Sequence, residues 1–450
     1  MLLFRSCIGL AAILLSASLL ACAGDSGPRP PAVVRVTDGD GQVAPIGTVL
    51  PAPIVVTVLD ADGEPAAGAR VDWRTADGRV TPEDAITDEL GVARARWELG
   101  QAEGPRTAEA TLPGAEPAVF TAIAEGRDAL PLDDLRPLAF ATYDGSGQVV
   151  HPDYAATPAG AFGLPLHLAI TPYPFGNAAF ENPSVFESAR KDLWSLPQDG
   201  PNPVVFPAAG YLSDPDLVYV AELNQLWLYY RQVTSDNIVH LVRSADGHTW
   251  SPPVEVVRAP NHRIVSPSIV YRAPGDWWMF AVDAGQSGCG GAATVVEVRR
   301  STDGVHWASA VPAQLGQSDL WPWHIDVQWI PQLNRFWALY NAKTAGGCTT
   351  PAVYLAESTD GLAWQVLAQP VLVKGAIPEL QDIVYRSTFE YDPATDVVTF
   401  WFSGARYESG RYRWSAAVER RRRSDLDAPV RTTIYPGALP PAPAPLDEWP

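Results

Sequence analysis

Ser244-Ala245-Asp246-Gly247-His248-Thr249-Trp250 recurs as Ser301-Thr302-Asp303-Gly304-Val305-His306-Trp307, and again as Ser358-Thr359-Asp360-Gly361-Leu362-Ala363-Trp364. Both intervals are 57 residues, and a worn copy over 188–194 stands 56 residues before the first. Self-similarity at a fixed period of this length marks an architecture of repeated supersecondary units. In each copy Asp-Gly supplies a tight turn between two strands, and Trp anchors the strand that follows. The aspartates of this motif are therefore assigned to structure and not to chemistry.

Working outward from the turns, two further sets align. One gives the first strand of each unit: His151-Pro152-Asp153-Tyr154, Asp214-Pro215-Asp216-Leu217, Ser266-Pro267-Ser268-Ile269, His324-Ile325-Asp326-Val327 and Arg386-Ser387-Thr388-Phe389. The other gives the second strand, apolar and aromatic throughout, over 166–170, 226–230, 277–282, 336–340 and 398–402. Five units of about four short strands predict a five-bladed β-propeller over 138–430. The period is too long for the coils of a β-helix.

Before the repeat, 32–126 alternates short β-type runs at 54–59, 69–75, 92–99, 107–112 and 119–124 with turn signals, which predicts a small β-sandwich. The acidic stretch 127–137 is read as a linker and the Pro-rich 431–450 as an extended tail. The fold class expected is thus all-β, a sandwich followed by a propeller. Abundant Pro (43), Gly (36) and Trp (16) agree with a turn-rich, aromatic all-β chain.

The chain begins as a secretory signal, with Arg5 ahead of an apolar run over 7–20 that is too short to span a bilayer. A formal charge of −19 excludes nucleic acid as a partner, since nothing could neutralise a phosphate backbone. Two of four cysteines fall in the signal region; in an oxidising compartment the remaining pair, Cys289 and Cys348, is expected to form a disulfide. Both lie in the loops between second and third strands of adjacent units. No cofactor and no metal site are expected. No loop carries a dedicated calcium pattern, although acidic residues at the channel centre leave room for a structural calcium ion.

In a propeller the first strands line a central channel, so carboxylates should converge there. Asp153, Asp216 and Asp326 occupy one repeat position, Asp214 precedes Asp216 by two residues, Glu181 leaves the two–three loop of the first unit, and Asp283 ends a second strand. His151, Trp323, His324, Arg231, Arg386 and Arg406 fall on the same face by the same logic. Packed carboxylates repel one another, which raises the pKa of some and suits a general acid.

Three resemblances add to this reading. Leu19-Leu20-Ala21-Cys22 resembles the lipobox of bacterial lipoproteins, which implies cleavage after residue 21, lipid on Cys22, a tether over 22–31, and a membrane-attached monomer at the outer membrane or cell surface. Thr87-Asp88-Glu89-Leu90-Gly91-Val92-Ala93 resembles the bacterial immunoglobulin-like domains of invasin-type surface proteins, which implies an immunoglobulin-like spacer. Residues 138–430 resemble the propellers of family 43 and family 32 glycoside hydrolases. That resemblance implies a carbohydrate ligand, Asp153 as base or nucleophile, and Asp216 or Asp214 as its support. The third-unit acid of those families is replaced by Ser266-Pro267-Ser268, so Glu181, His324 or Asp326 is the candidate acid. Asp214, Arg231, Asp283, Trp323, Arg386 and Arg406 are the candidate substrate contacts. A glycan-binding lipoprotein with a lapsed site is the alternative. A sialidase-like reading could use Arg231, Arg386 and Arg406, but the Asp-Gly motif is one residue shorter than the sialidase Asp-box.

Overall fold

The computed structural model describes residues 31–426 apart from 85, 103, 127–129, 159–160, 198–199, 292, 318 and 349. The signal segment, Cys22 and the tail read from the sequence lie outside the described residues. Two compact units divide at Arg127 and Asp128. Regular structure is almost entirely β, with helix confined to short 3-10 turns. Among the described residues no helix is long and apolar enough to cross a membrane.

The first unit has two four-stranded sheets. One holds Pro31–Asp38, Ile54–Asp60, Val92–Leu99 and Gly78–Pro82; the other holds Gln42–Pro45, Ala118–Glu125, Gly104–Thr111 and Asp72–Thr75. Alternation puts every second side chain inward. Val56, Val58, Ala93, Ala95 and Trp97 of one sheet thus share a core with Ala108, Ala110, Phe120 and Ala122 of the other. Gly91 closes the Asp88 turn at φ +71, where an added Cβ would lie 2.4 Å from the Val58 carbonyl oxygen.

The second unit is a ring of five antiparallel sheets. Their innermost strands are Val149–Ala156, Tyr211–Val220, Val265–Ala273, Trp321–Ile330 and Ile383–Asp392. Each continues outward through a second strand, Leu166–Pro172, Gln225–Val233, Asp276–Asp283, Arg335–Lys343 or Val397–Glu408, buried on both faces between neighbouring sheets. The fifth sheet takes its outer strand from Arg136–Leu138, which pairs with Arg411–Arg422 and ties the start of the ring to its end. Arg136 and Pro137 fall within the stretch read as a linker, and Leu138 opens the stretch read as the propeller.

The repeated Ser-x-Asp-Gly turns are structural. In each, the Ser hydroxyl and the Asp carboxylate accept backbone N–H groups of the turn, as Ser301 and Asp303 do from Gly304, Val305 and His306. The glycine has φ near +70 and packs on aromatic side chains: a Cβ on Gly304 would lie 2.8 Å from the Tyr229 hydroxyl and 2.9 Å from Trp227. Turn and sheet interface are therefore one feature.

Every inner strand carries a register shift at the same place, between Val150 and Asp153, Ser213 and Asp216, Val265 and Ser268, Pro322 and His324, and Val384 and Ser387. A bulge there explains the X-Pro-X pattern, because proline lacks the N–H that a regular ladder would need. His151, Asp214 and Ser266, the residues before the prolines, take φ values of 59°, 47° and 53°. Left-handed backbone at non-glycine residues costs roughly 1–3 kcal/mol each and concentrates at functional sites.

Candidate active site

The bulges sort the aligned residues into two layers along the channel. The deeper layer, Asp153, Asp216, Ser268, Asp326 and Thr388, closes a circle of hydrogen bonds. Asp153 accepts the Leu217 N–H at 2.6 Å, Asp216 the Ile269 N–H at 3.0 Å, and Ser268 Oγ the Val327 N–H at 2.9 Å. Thr388 donates to Asp326 at 3.0 Å and accepts the Tyr154 N–H at 3.3 Å. Each sheet thereby grips the next. Buried Arg386 lies 3.1 Å from Asp153 and 3.5 Å from Asp216. Burial first, then mutual repulsion, pushes the Asp153 carboxyl well above the usual carboxylate range. Burial and Asp326 raise Asp216 against the opposing pull of Arg386. Burial raises Asp326, again against Arg386. The three carboxylates could hold a cation, at the channel centre where the sequence left room for calcium, and Arg386 already brings one positive charge to them.

The shallower layer gathers His151, Asp214 and His324. The three can each offer one ligand atom, all within 4.8 Å of one another. Asp214 divides its oxygens. Oδ2 lies 2.7 Å from Arg231 Nε and accepts the Ser266 N–H at 3.0 Å. Oδ1 lies 3.2 Å from His151 Nε2 and 3.3 Å from His324 Nδ1, all three atoms being buried. Burial acts on Asp214 to raise its pKa, but Arg231 and the two imidazoles overcome it and hold the carboxyl well below the usual range. Burial pushes both imidazoles down, His151 strongly. Burial thus disfavours the charged form of both imidazoles, and the uncharged form is the one that metal ligation requires.

Glu181 reaches this layer from the loop after the second strand of the first sheet. Asn177 caps a 3-10 turn, Ala178–Phe180, by accepting the Ala179 N–H, and Glu181 follows directly. Its Oε2 stands 3.4 Å from His151 Nδ1. Burial first, with help from Asp214, pushes its carboxyl up to about 8, while a Ser213 hydrogen bond and Arg231 oppose. Tyr385 packs its ring 4.3 Å from that of His324 and accepts a hydrogen bond from Trp323 Nε1 at 3.2 Å. Burial raises its pKa, so the phenol remains a proton donor.

Cys289 and Cys348 form the expected disulfide, joining the two–three loops of the third and fourth sheets. Lys343 Nζ reinforces the junction by donating to the Gly291 and Thr344 carbonyls at 2.8 and 3.2 Å.

The structure thus brings together Glu181, Asp214, Arg231, Trp323 and His324 in one layer and Asp153, Asp216, Asp326 and Arg386 in the other. Asp283 and Arg406 sit apart from both. Asp283 accepts from Arg263 at 2.7 Å, and Arg406 pairs with Glu408 at 2.6 Å with much of its side chain exposed. Sequence reading gave no role to Tyr385, which the alignment of first strands places one residue before Arg386. It gave none to His151 beyond its place on the face, although His151 and Asp214 stand at the same aligned position.

Fold and site together define a five-bladed propeller with a buried pair of histidines and an aspartate at its channel. No family model matches the chain. It is 28% identical over 307 residues to an A type blood N-acetyl-alpha-D-galactosamine deacetylase of Flavonifractor plautii, covering 57% of this chain and 40% of the relative's length. The crystal structure of an N-acetylgalactosamine deacetylase from F. plautii, in complex with blood group B trisaccharide, superposes with a TM-score of 0.59 at 23% identity, covering 64% of this chain and 94% of that one. A thermostable family-43 glycoside hydrolase superposes with a TM-score of 0.42 at 14% identity, over 61% of this chain and 88% of that one.

Proposed function

We propose that the propeller removes the acetyl group from an N-acetylhexosamine unit of a glycan, at the His151–Asp214–His324 cluster. The single observation carrying this reading is the convergence of three buried ligand-type atoms, with Asp214 Oδ1 lying 3.2 Å from His151 Nε2 and 3.3 Å from His324 Nδ1. Two imidazoles and a carboxylate are the ligand set of catalytic zinc, around which ligand atoms stand about 3.3 Å apart. The residues present therefore fit a divalent cation. When bound, it would supply Lewis-acid polarisation of the amide carbonyl.

The chain's own groups account for the proton movements. Glu181, whose carboxyl is pushed up to about 8, accepts a proton from the attacking water when ionised, a form that a cation held beside His151 would favour, and returns it to the departing nitrogen as the C–N bond breaks. Acetate and a free amine are the products. Tyr385 donates toward the oxygen on which charge develops. Arg231 keeps Asp214 ionised and fixed. The likeness to the F. plautii deacetylase supports this substrate class over glycosidic cleavage. The ring hydrogen bonds of Asp153, Asp216 and Asp326 support it too, since those carboxylates already hold the sheets together.

The test is acetate release from oligosaccharides ending in N-acetylgalactosamine, with purified protein before and after chelation and with His324→Ala. Release that is lost on chelation, restored by zinc and absent in the variant is expected. Release of reducing sugar with no acetate would overturn the reading in favour of a glycosidase.

We propose further that the protein is a lipid-anchored surface protein whose first unit is an immunoglobulin-like spacer. Mass spectrometry of the membrane-extracted protein should find a diacylglyceryl group on Cys22; an unmodified Cys22 would refute it.

A further inference from the structure

Thr171 stands at the end of the second strand of the first sheet and is fully buried. Its Oγ1 lies 3.1 Å from the Val150 carbonyl oxygen and 3.3 Å from His151 Nδ1. A hydroxyl has one proton, and a carbonyl oxygen can only accept it. With that proton on Val150, Thr171 Oγ1 has only lone pairs to offer the imidazole, which favours the His151 tautomer with its hydrogen on Nδ1, where Glu181 Oε2 at 3.4 Å is the other neighbour. The lone pair of His151 then lies on Nε2, the atom facing Asp214 Oδ1. The strained bulge at His151 turns the ring inward, and the threonine selects which nitrogen arrives bare.

We propose that Thr171 is a positioning residue that fixes the His151 tautomer and so makes the cluster competent to hold a divalent cation. This rests on the metal-centred reading above. Without the hydroxyl, Nδ1 keeps only the more distant Glu181 Oε2, at 3.4 Å, as a polar neighbour, and the imidazole gains freedom to place its proton on Nε2. In that tautomer His151 donates to Asp214 and closes the cluster as an ordinary hydrogen bond. Partners that orient a ligating histidine are typically worth 10–100-fold in metal affinity.

Thr171→Val keeps the β-branched shape that the strand packs and removes only the hydroxyl; Thr171→Ser restores it. Zinc affinity of the full chain is measured by calorimetric titration of metal-free protein. With seven histidines in the sequence, selective ¹⁵N-histidine labelling can report the ring tautomer directly. Zinc affinity should fall 10–100-fold in Thr171→Val and recover in Thr171→Ser, and metal-free wild type should show the Nδ1–H form of His151. Equal affinity in wild type and Thr171→Val, or an Nε2–H His151 in wild type, would overturn the assignment. Wild type that binds zinc but releases no acetate would remove the deacetylase reading and leave the role of Thr171 standing on affinity and tautomer. Failure of wild type to bind zinc would overturn both.

Discussion

Asp153→Asn separates a carboxylate that holds the ring from one that does chemistry. In the structure Asp153 accepts the Leu217 N–H and meets Arg386, and its carboxyl is held well above the usual range. Asparagine reproduces its shape and one acceptor oxygen and removes the group that can ionise. The change should cost about 1 kcal/mol, the net worth of one adjusted buried hydrogen bond, and lower Tm by roughly 2–3 °C. Acetate release should change less than threefold. Asp153→Ala is the harsher companion. It strands the Leu217 N–H, about 1–3 kcal/mol, and removes a partner from buried Arg386, for a total near 4 kcal/mol. That is a large part of a typical stability of about 5–15 kcal/mol. Thermal unfolding and acetate release are measured on the same preparations. An Asp153→Asn protein that melts like wild type but loses activity a hundredfold or more would refute the ring assignment and return Asp153 to the chemistry.

Gly304→Ala should lower stability by about 2 kcal/mol, because alanine disfavours φ +72 and its Cβ would press on Tyr229 and Trp227; an unchanged chemical-denaturation midpoint would count against the turn as an interface element. Reducing Cys289–Cys348, which lie 59 residues apart, should cost about 4 kcal/mol on loop-entropy grounds and lower Tm in reductant. Burial first, and then His248, pushes His167 down to about 4, so the folded state binds fewer protons than the unfolded state between pH 6.5 and 4. Its contribution, about 3 kcal/mol, is present above pH 6.5 and lost as pH falls toward 4; His167→Gln should flatten stability across that window, and an equally steep profile would exclude His167 as the cause.

Much of the ring was legible because its signals are local. Asp-Gly turns followed by tryptophan fix where strands begin, and the apolar second strands can lie only between sheets. The cysteine pair followed from its equivalent position in adjacent units. Arg136–Leu138 escaped notice because three residues with a proline carry no alternation, and only the unpaired edge of Arg411–Arg422 gives them a place. Gly78–Pro82 is a polar, largely exposed edge strand of the first unit and was invisible for the same reason. Within the site, alignment collected the right residues but not their layering. His151 and Asp153 differ by two positions and should share a face of a regular strand; the bulge between Val150 and Asp153 sends one to the histidine cluster and the other to the hydrogen-bonded ring. Asp283 and Arg406 were placed by strand position alone, and nearby partners of opposite charge hold each of them elsewhere.

The strand Arg136–Leu138 also sets an order of events as the chain is made. It leaves the ribosome before any other part of the propeller, yet its partner, Arg411–Arg422, is nearly the last segment to appear. Four sheets can assemble in sequence from their own hairpins while the first-made strand waits without a neighbour. Only when Arg411–Arg422 has been made can the circle shut, and that long-range pairing is the slow kind of step. A nascent chain halted before Arg411 would hold an open row of sheets with an uncovered edge, the form most exposed to mispairing with another copy.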